Sequence, residues 1–312
     1  MSESELLIQQ LLNGLTNGMI IALIALGYTM VFGIVELINF AHGDLVTLGG
    51  FLALTIIGVT APTTETFFIL LLVVPIFCGF LNIAIDTLVY APVRGGTKLI
   101  SLVSAIGVSF VLINIALIWG GLGLPGFGAA NVGAAPKDFP SIIPLHNLFG
   151  ESSNLIFTTR DAVIIGVTIP LLTFFSIFIY KTKMGAAMRA VAQDPGAASL
   201  MGINPKKIIR ITFFIGGYLG GVASIMYSLY NGTISFQMGY RIGLDAFSAA
   251  VLGGIGNFQG AMLGGLLIGI IRALSDQYIS TEWTSSVVFC CLIFALLFKP
   301  SGLLGSTVKE KV

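Results

Sequence analysis

Charge is scarce in this sequence: 15 Lys and Arg and 14 Asp and Glu in 312 residues, 9% of the chain. A soluble domain carries about 25% charged residues, so a water-facing surface over most of this chain is excluded. Cysteine is almost absent. The three present, Cys78, Cys290 and Cys291, sit inside apolar runs with no metal-ligand spacing and read as small core residues. The residue-by-residue alternation of a membrane β-barrel is missing. No Walker A pattern, nucleophile elbow, zinc motif or carboxylate pair in a soluble fold occurs; the nearest string, RGGTK at Arg94, lacks the spacing and the preceding strand. The chain therefore does not read as an enzyme, and any ATP chemistry belongs to another subunit. The start, MSESELLIQQ, holds two glutamates and no basic residue, and does not read as a cleavable signal.

What is present in excess is apolar: 56% of residues are hydrophobic. A membrane-spanning helix needs roughly 20 mostly apolar residues. Runs of that kind cover Ile8 to Phe32, Thr66 to Tyr90, Leu99 to Gly120, Asp161 to Tyr180, Ile208 to Tyr230 and Trp283 to Phe298. Shorter pieces cover Leu45 to Val59, Ala246 to Ile255 and Ala261 to Leu274. The expected fold is all-α and polytopic, one transmembrane domain over residues 1–312. About eight or nine segments are expected, depending on how the short pieces are counted.

Basic residues set the orientation. Six fall between Lys181 and Arg210; Arg94 and Lys98 follow the third run, and Lys299, Lys309 and Lys311 lie in the tail. Those segments are expected in the cytoplasm. The Gly- and Pro-rich stretch 121–160, with Lys137 and Arg160 against Asp138, Glu151 and Asp161, is then an external loop region. An N-out, C-in protein follows.

Two polar, glycine-rich interruptions break the apolar pattern. NFAHGDLVTLGGFL begins at Asn39, and GGIGNFQGAMLGGLL begins at Gly253. Each has Asn-Phe, then Gly, then Leu-Gly-Gly-x-Leu. Such breaks at membrane depth are tolerated only where protein or water surrounds them, and paired ones mark transporters built on internal repeats. Asn39, His42, Asp44, Gly253, Gly254, Asn257 and Gln259 are thus candidates for a translocation pathway. The plainer alternatives stand beside this. His42 and Asp44 fit a cap on a helix starting at Leu45, the glycine pairs fit close helix packing, and Asp86 and Arg272, near run ends, fit snorkelling. Glu36 falls at a helix end beside the first break.

The segment 181–207 is organised rather than loose. Asp194 with Pro195 is a helix start, Gly196 to Met201 a short helix, Gly202 a left-handed stop, and Pro205 a second stop. Gly185 to Gln193, with Arg189, reads as a preceding helix. The small residues Ala197, Ala198 and Ser199 let the short helix enter a groove on another protein; an interfacial amphipathic helix is the alternative.

RAVAQDPGAASLMGINPKKI resembles the coupling segment of LivH-type permeases of branched-chain amino acid ABC importers, which are inner-membrane components of binding-protein-dependent transport systems. LIALGYTMVFGIVELINFAHGDLVTLGG, AFSAAVLGGIGNFQGAMLGGLLIGIIRAL and the closing LLFKPSGLLG resemble the same family, from about Leu11 to Gly305. The resemblance implies a translocating subunit in the bacterial inner membrane, embedded in lipid. Its implied partners are a homologous second permease, two ATP-binding cassette subunits holding ATP and Mg, and a periplasmic solute-binding protein. Nucleic acid has no part in it. The family's coupling helix falls on Asp194 to Ile203. Arg189, Asp194, Pro195, Ala198, Gly202 and Ile203 are then the expected ATPase-coupling residues. The implied cargo is a branched-chain or other neutral amino acid, with urea or short amides as alternatives. A gradient-driven secondary transporter and a passive channel are rivals; the first leaves the short helix without a purpose, and paired Asn-Pro-Ala loops for the second do not occur.

Overall fold

The computed structural model describes residues 2–35, 39–127, 132–150 and 152–305. Glu36, Glu151, Lys309 and Lys311, invoked above, lie outside the described residues. Helices follow the apolar runs. They are α1 (Glu3–Val35), α2 (Ala41–Thr60), α3 (Thr64–Val93), α4 (Lys98–Gly120), α5 (Thr159–Lys181), α6 (Lys183–Gln193), α7 (Pro195–Leu200), α8 (Pro205–Asn231), α9 (Met238–Gly253), α10 (Phe258–Tyr278) and α11 (Thr284–Phe298). Among the described residues seven of these are long and apolar enough to cross a membrane: α1 to α5, α8 and α10. The run from Trp283 to Phe298 forms α11 over 15 residues from Thr284, shorter than those seven. The short apolar pieces instead grow into longer helices, because polar residues such as His42 and Asp44 are absorbed into their first turns.

Caps set the boundaries. Thr158 and Asp161 form a reciprocal capping box that starts α5. Asn204 accepts from the Lys207 amide at 3.2 Å to start α8, whose end is closed by left-handed Gly232.

The bundle has an inner and an outer layer. In the most apolar 18 residues of α1 and α8, 78% of residues are buried, against 28% in α4 and α5. Small residues permit the tight inner seams. In α1, Gly14 and Gly18 lie against the backbone of Ile270 and Leu266 in α10, and a Cβ added at Gly18 would stand 2.9 Å from the Leu266 Cα. In α8, Gly221 approaches Pro75 of α3 in the same way. This is the close backbone approach by which helices associate where no water drives them together. Phe68, Leu72 and Phe80 of α3, Phe110 and Ile118 of α4, and Phe174 of α5 face outward and suit a lipid surround.

Two ends of the bundle can be told apart. At one, Gln9 donates to the Ile156 carbonyl at 2.9 Å, and the strand pair Lys137–Asp138 with Thr233–Ile234 ties the long loop to the end of α8. At the other lie the end of α5, the segment 181–207, the Gly253 break and the end of α11; there Tyr180 meets Phe258 at 6.0 Å between ring centroids.

Candidate functional site

At the first break, the polar residues turn inward. Asn39, His42 and Asp44 are all buried. The Tyr90 hydroxyl donates to Asn39 Oδ1 at 2.7 Å, Asn39 Nδ2 donates to Asn82 at 3.4 Å, and Asn82 Nδ2 donates to the Phe213 carbonyl at 2.7 Å. One chain of hydrogen bonds therefore joins the break to α3 and α8. Helix α2 begins at Ala41, and Phe40 before it supplies no side-chain cap. The capping reading of His42 and Asp44 is thereby corrected: both lie inside the helix. Asp44 instead accepts from Ser109 of α4 at 2.5 Å. The His42 ring packs edge-on against Tyr28 at 4.7 Å, in room left by Gly27 and Gly220, and neither ring nitrogen reaches a hydrogen-bond partner of good geometry. Unsatisfied polar atoms at such depth are costly, which sets this cluster apart from ordinary core.

The second break is arranged differently. Gly254 (φ 108°) turns the chain between α9 and α10, and residues 301–305 fold back onto it. The Leu303 and Leu304 amides donate to the Leu252 and Gly253 carbonyls at 2.8 and 3.0 Å. Asn257 caps α10 through the Gly260 amide at 3.0 Å and donates to the Leu304 carbonyl at 2.6 Å. Gly253 lies against the backbone of Gly260. Gln259 is exposed at the start of α10. The structure does not bring the two breaks together into one polar patch: the first sits among α1, α3, α4 and α8, the second on the closing segment.

The segment 181–207 forms as its caps dictate. Asp194 accepts from the Gly196 and Ala197 amides at 2.8 and 3.0 Å, Pro195 occupies the first turn of α7, and Gly202 (φ 81°) ends it. The Ile203 amide returns to the Ala198 carbonyl at 3.0 Å. Arg189 of α6 donates to the Ile179 carbonyl and lies over the Tyr180 ring, 5.9 Å from its centroid, so it fastens the segment to α5. Ala198 is buried against its own chain at 4% exposure, while Leu200 and Met201 stand out at 91% and 82%. Leu200 and Met201 are thus the large apolar side chains that this short helix and its end expose, alongside the small exposed residues Ala197 and Ser199; sequence reasoning did not single them out. The available signal was Leu-Met in a stretch otherwise small and polar.

Asp86 and Arg272 are not snorkelling. Asp86 pairs with Arg94 across a π turn, Asp86–Tyr90, within α3, and Arg272 of α10 pairs with Asp245 of α9. The second pair joins two helices; the first ties the end of α3 back onto its own π turn.

A family profile described as "Branched-chain amino acid transport system / permease component" matches residues 10–297. The chain is 41% identical over 314 residues to the high-affinity branched-chain amino acid transport system permease protein LivH of Escherichia coli (strain K12), covering 98% of this chain and 97% of that one. It is 38% identical over 312 residues to the permease protein BraD of Pseudomonas aeruginosa, covering 98% of each. A probable branched-chain amino acid transport permease protein LivM of Methanocaldococcus jannaschii is 29% identical over 140 residues, 40% of this chain and 41% of that one. No solved structure matches.

Proposed function

We propose, for a chain that belongs to the family of branched-chain amino acid transport system permease components, that it is the membrane-spanning subunit of an ATP-driven importer of branched-chain or other neutral amino acids. The observation that carries this is the extent of the likeness, 41% identity across 98% of this chain. The chain is a transport subunit and not itself catalytic. In this reading two separate ATP-binding cassette subunits hold ATP and Mg, and they receive α7, with Leu200 and Met201 as the seated side chains. A homologous second permease stands beside it, and a periplasmic binding protein delivers the solute.

The same reading places the chain in the bacterial inner membrane with nine crossings, α9 and α11 completing the seven longer helices. The N-terminus is outside and the C-terminus in the cytoplasm. Arg94, Lys181, Lys206, Lys207, Arg210 and Lys299 gather near the ends of helices on the coupling side, which supports that side as cytoplasmic. The breaks at Asn39 to Asp44 and at Gly253 to Gln259 are proposed as the places where the pathway walls change shape, because interrupted helices absorb backbone rotation.

The test is purification of the tagged chain in mild detergent from its native host, mass spectrometry of co-purifying proteins, and solute uptake into liposomes. Two ATPases, a second permease and ATP-dependent leucine uptake are expected. A chain that comes alone and moves solute without ATP overturns the reading.

A further inference from the structure

A chain so poor in charge surrounds one cavity with four charged side chains. The cavity, about 320 Å³, opens at the end of the bundle that carries the long loop, between the starts of α1 and α9 and the ends of α8 and α10. Arg241, Asp245, Arg272 and Asp276 line it. Arg272 and Asp245 neutralise each other as an ion pair. The other two are exposed at the mouth and hold no ion pair of their own, although Arg241 also lies within electrostatic reach of Asp245. Arg241 makes no hydrogen bond or ion pair among the described residues, and Asp276 accepts only from Thr284 through Oδ1, leaving Oδ2 without a partner. The cavity thus offers one guanidinium and one carboxylate oxygen, with no net charge.

The remaining wall sorts by chemistry. The Asn17 side chain, which has no hydrogen bond among the described residues, adds a polar amide. Opposite in character are Ile21, Ile242 and Ala273, all buried apolar side chains at the cavity floor. A second cavity of about 600 Å³ shares Tyr227, Asn231 and Arg241 with the first and continues toward the loop and the Thr233–Ile234 strand. Ionisable groups on spanning helices are expensive beside lipid and face a water-filled route or a protein partner.

We infer that this cavity is a solute-binding station for a zwitterionic aliphatic α-amino acid, with Arg241 receiving the α-carboxylate and Asp276 the α-ammonium. The inference rests on the importer reading above and adds the site to it. A cation site would carry net negative charge and an anion site net positive charge; this one carries separated charges that sum to zero. The guanidinium fork matches a carboxylate in two parallel hydrogen bonds. Asp276 and the Asn17 carbonyl supply acceptors for an ammonium, which has three donors. The apolar floor of Ile21, Ile242 and Ala273 suits the branched side chain. The volume lies at the small end of ligand sites, about 300–1,000 Å³. Under the orientation proposed above, the station opens outward, where delivered solute first meets the chain.

The experiment uses the permease with its co-purified partner subunits in nanodiscs, with no binding protein, and measures equilibrium binding of radiolabelled L-leucine. 3-Methylbutylamine, which lacks the carboxylate, and 4-methylpentanoate, which lacks the ammonium, are the competitors. In the wild type both compete far more weakly than L-leucine. Arg241→Gln and Asp276→Asn each lower leucine affinity about tenfold or more, the loss expected for a charge-assisted contact. In Arg241→Gln, 3-methylbutylamine becomes as effective a competitor as leucine, a change of selectivity that a folding or docking defect does not produce. Arg241→Lys, which keeps the charge without the fork, falls between. ATP-driven uptake by the complete wild-type system is measured in parallel. Wild-type uptake of leucine with unchanged binding and unchanged competition in both variants overturns the site and leaves the importer reading standing. A complete system that moves no leucine overturns the importer reading, and the site with it.

Discussion

The Tyr90 hydroxyl and the Asn39 side-chain carbonyl meet at 2.7 Å, and both groups are buried. Tyr90 ends the π turn of α3, and Asn39 stands just before α2. Their bond therefore fixes the polar interruption to a helix contributed from elsewhere in the bundle. Tyr90→Phe keeps the ring and its packing on Phe213 but leaves the Asn39 oxygen without this donor. We expect a stability loss of about 1–3 kcal/mol, measured as a lower unfolding midpoint in detergent. An unchanged midpoint would show that the bond is not what holds the break.

Leu200 and Met201 touch little of their own chain, so changing them tests docking and not folding. Met201→Glu and Leu200→Glu should elute from size-exclusion chromatography as the wild type does, while ATPase co-purification and ATP-driven uptake fall at least about tenfold, as loss of a buried apolar anchor requires. Retention of both ATPases by the double variant would remove α7 as the docking element.

Asp194 makes two capping hydrogen bonds and, among the described residues, no ion pair. Asp194→Ala should cost about 1 kcal/mol, felt locally as fraying of α7. Hydrogen exchange at the Gly196 and Ala197 amides should rise, with the rest of the bundle unaffected. Asp194→Asn retains an acceptor and should restore most of the protection.

The Asp86–Arg94 pair is buried at the aspartate and partly exposed at the arginine. Arg94→Gln leaves a carboxylate without its counter-charge and should destabilise by roughly 3 kcal/mol. Asp86→Asn introduced beside it should recover much of that loss. If the double variant is no better than the single one, the pair does not act as a unit.

Glycines should divide by what they face. A Cβ at Gly265 would collide with the backbone of Ala22, whereas one at Gly107 of α4 meets nothing within 4 Å. Gly265→Val should abolish a monodisperse peak in fluorescence-detected chromatography, and Gly107→Val should leave it intact. Equal behaviour of the two would contradict the inner and outer layers described here.

The legible parts of this chain were those governed by local rules. Asp194, Pro195 and Gly202 announce α7 because a cap, a fixed φ and a left-handed stop are properties of single residues. Apolar runs announce helices by length alone, though polar first turns hid the start of α2 at Ala41. What stayed hidden depends on neighbours far along the chain. Asp86 and Arg272 looked like membrane-edge residues because Arg94 turns back on a π turn and Asp245 lies on another helix. Of the small residues of α7, Ala198 turns toward its own chain while Ala197 and Ser199 stay exposed, a sorting that small size alone does not reveal. The cavity at Arg241 and Asp276 left no motif at all, since its walls come from four helices.

The seam between α1 and α10 also bears on how the protein is made. Gly14 and Gly18 find their partners only when Gly265 to Ile270 emerge, far later along the chain. Until then the nascent α1 waits in the bilayer with its smooth glycine face unoccupied. Contacts of such long sequence separation form slowly, and surfaces left open in the interval are where multi-helix chains misassemble. The interior of this bundle is closed late, when an early-made helix meets one made much later.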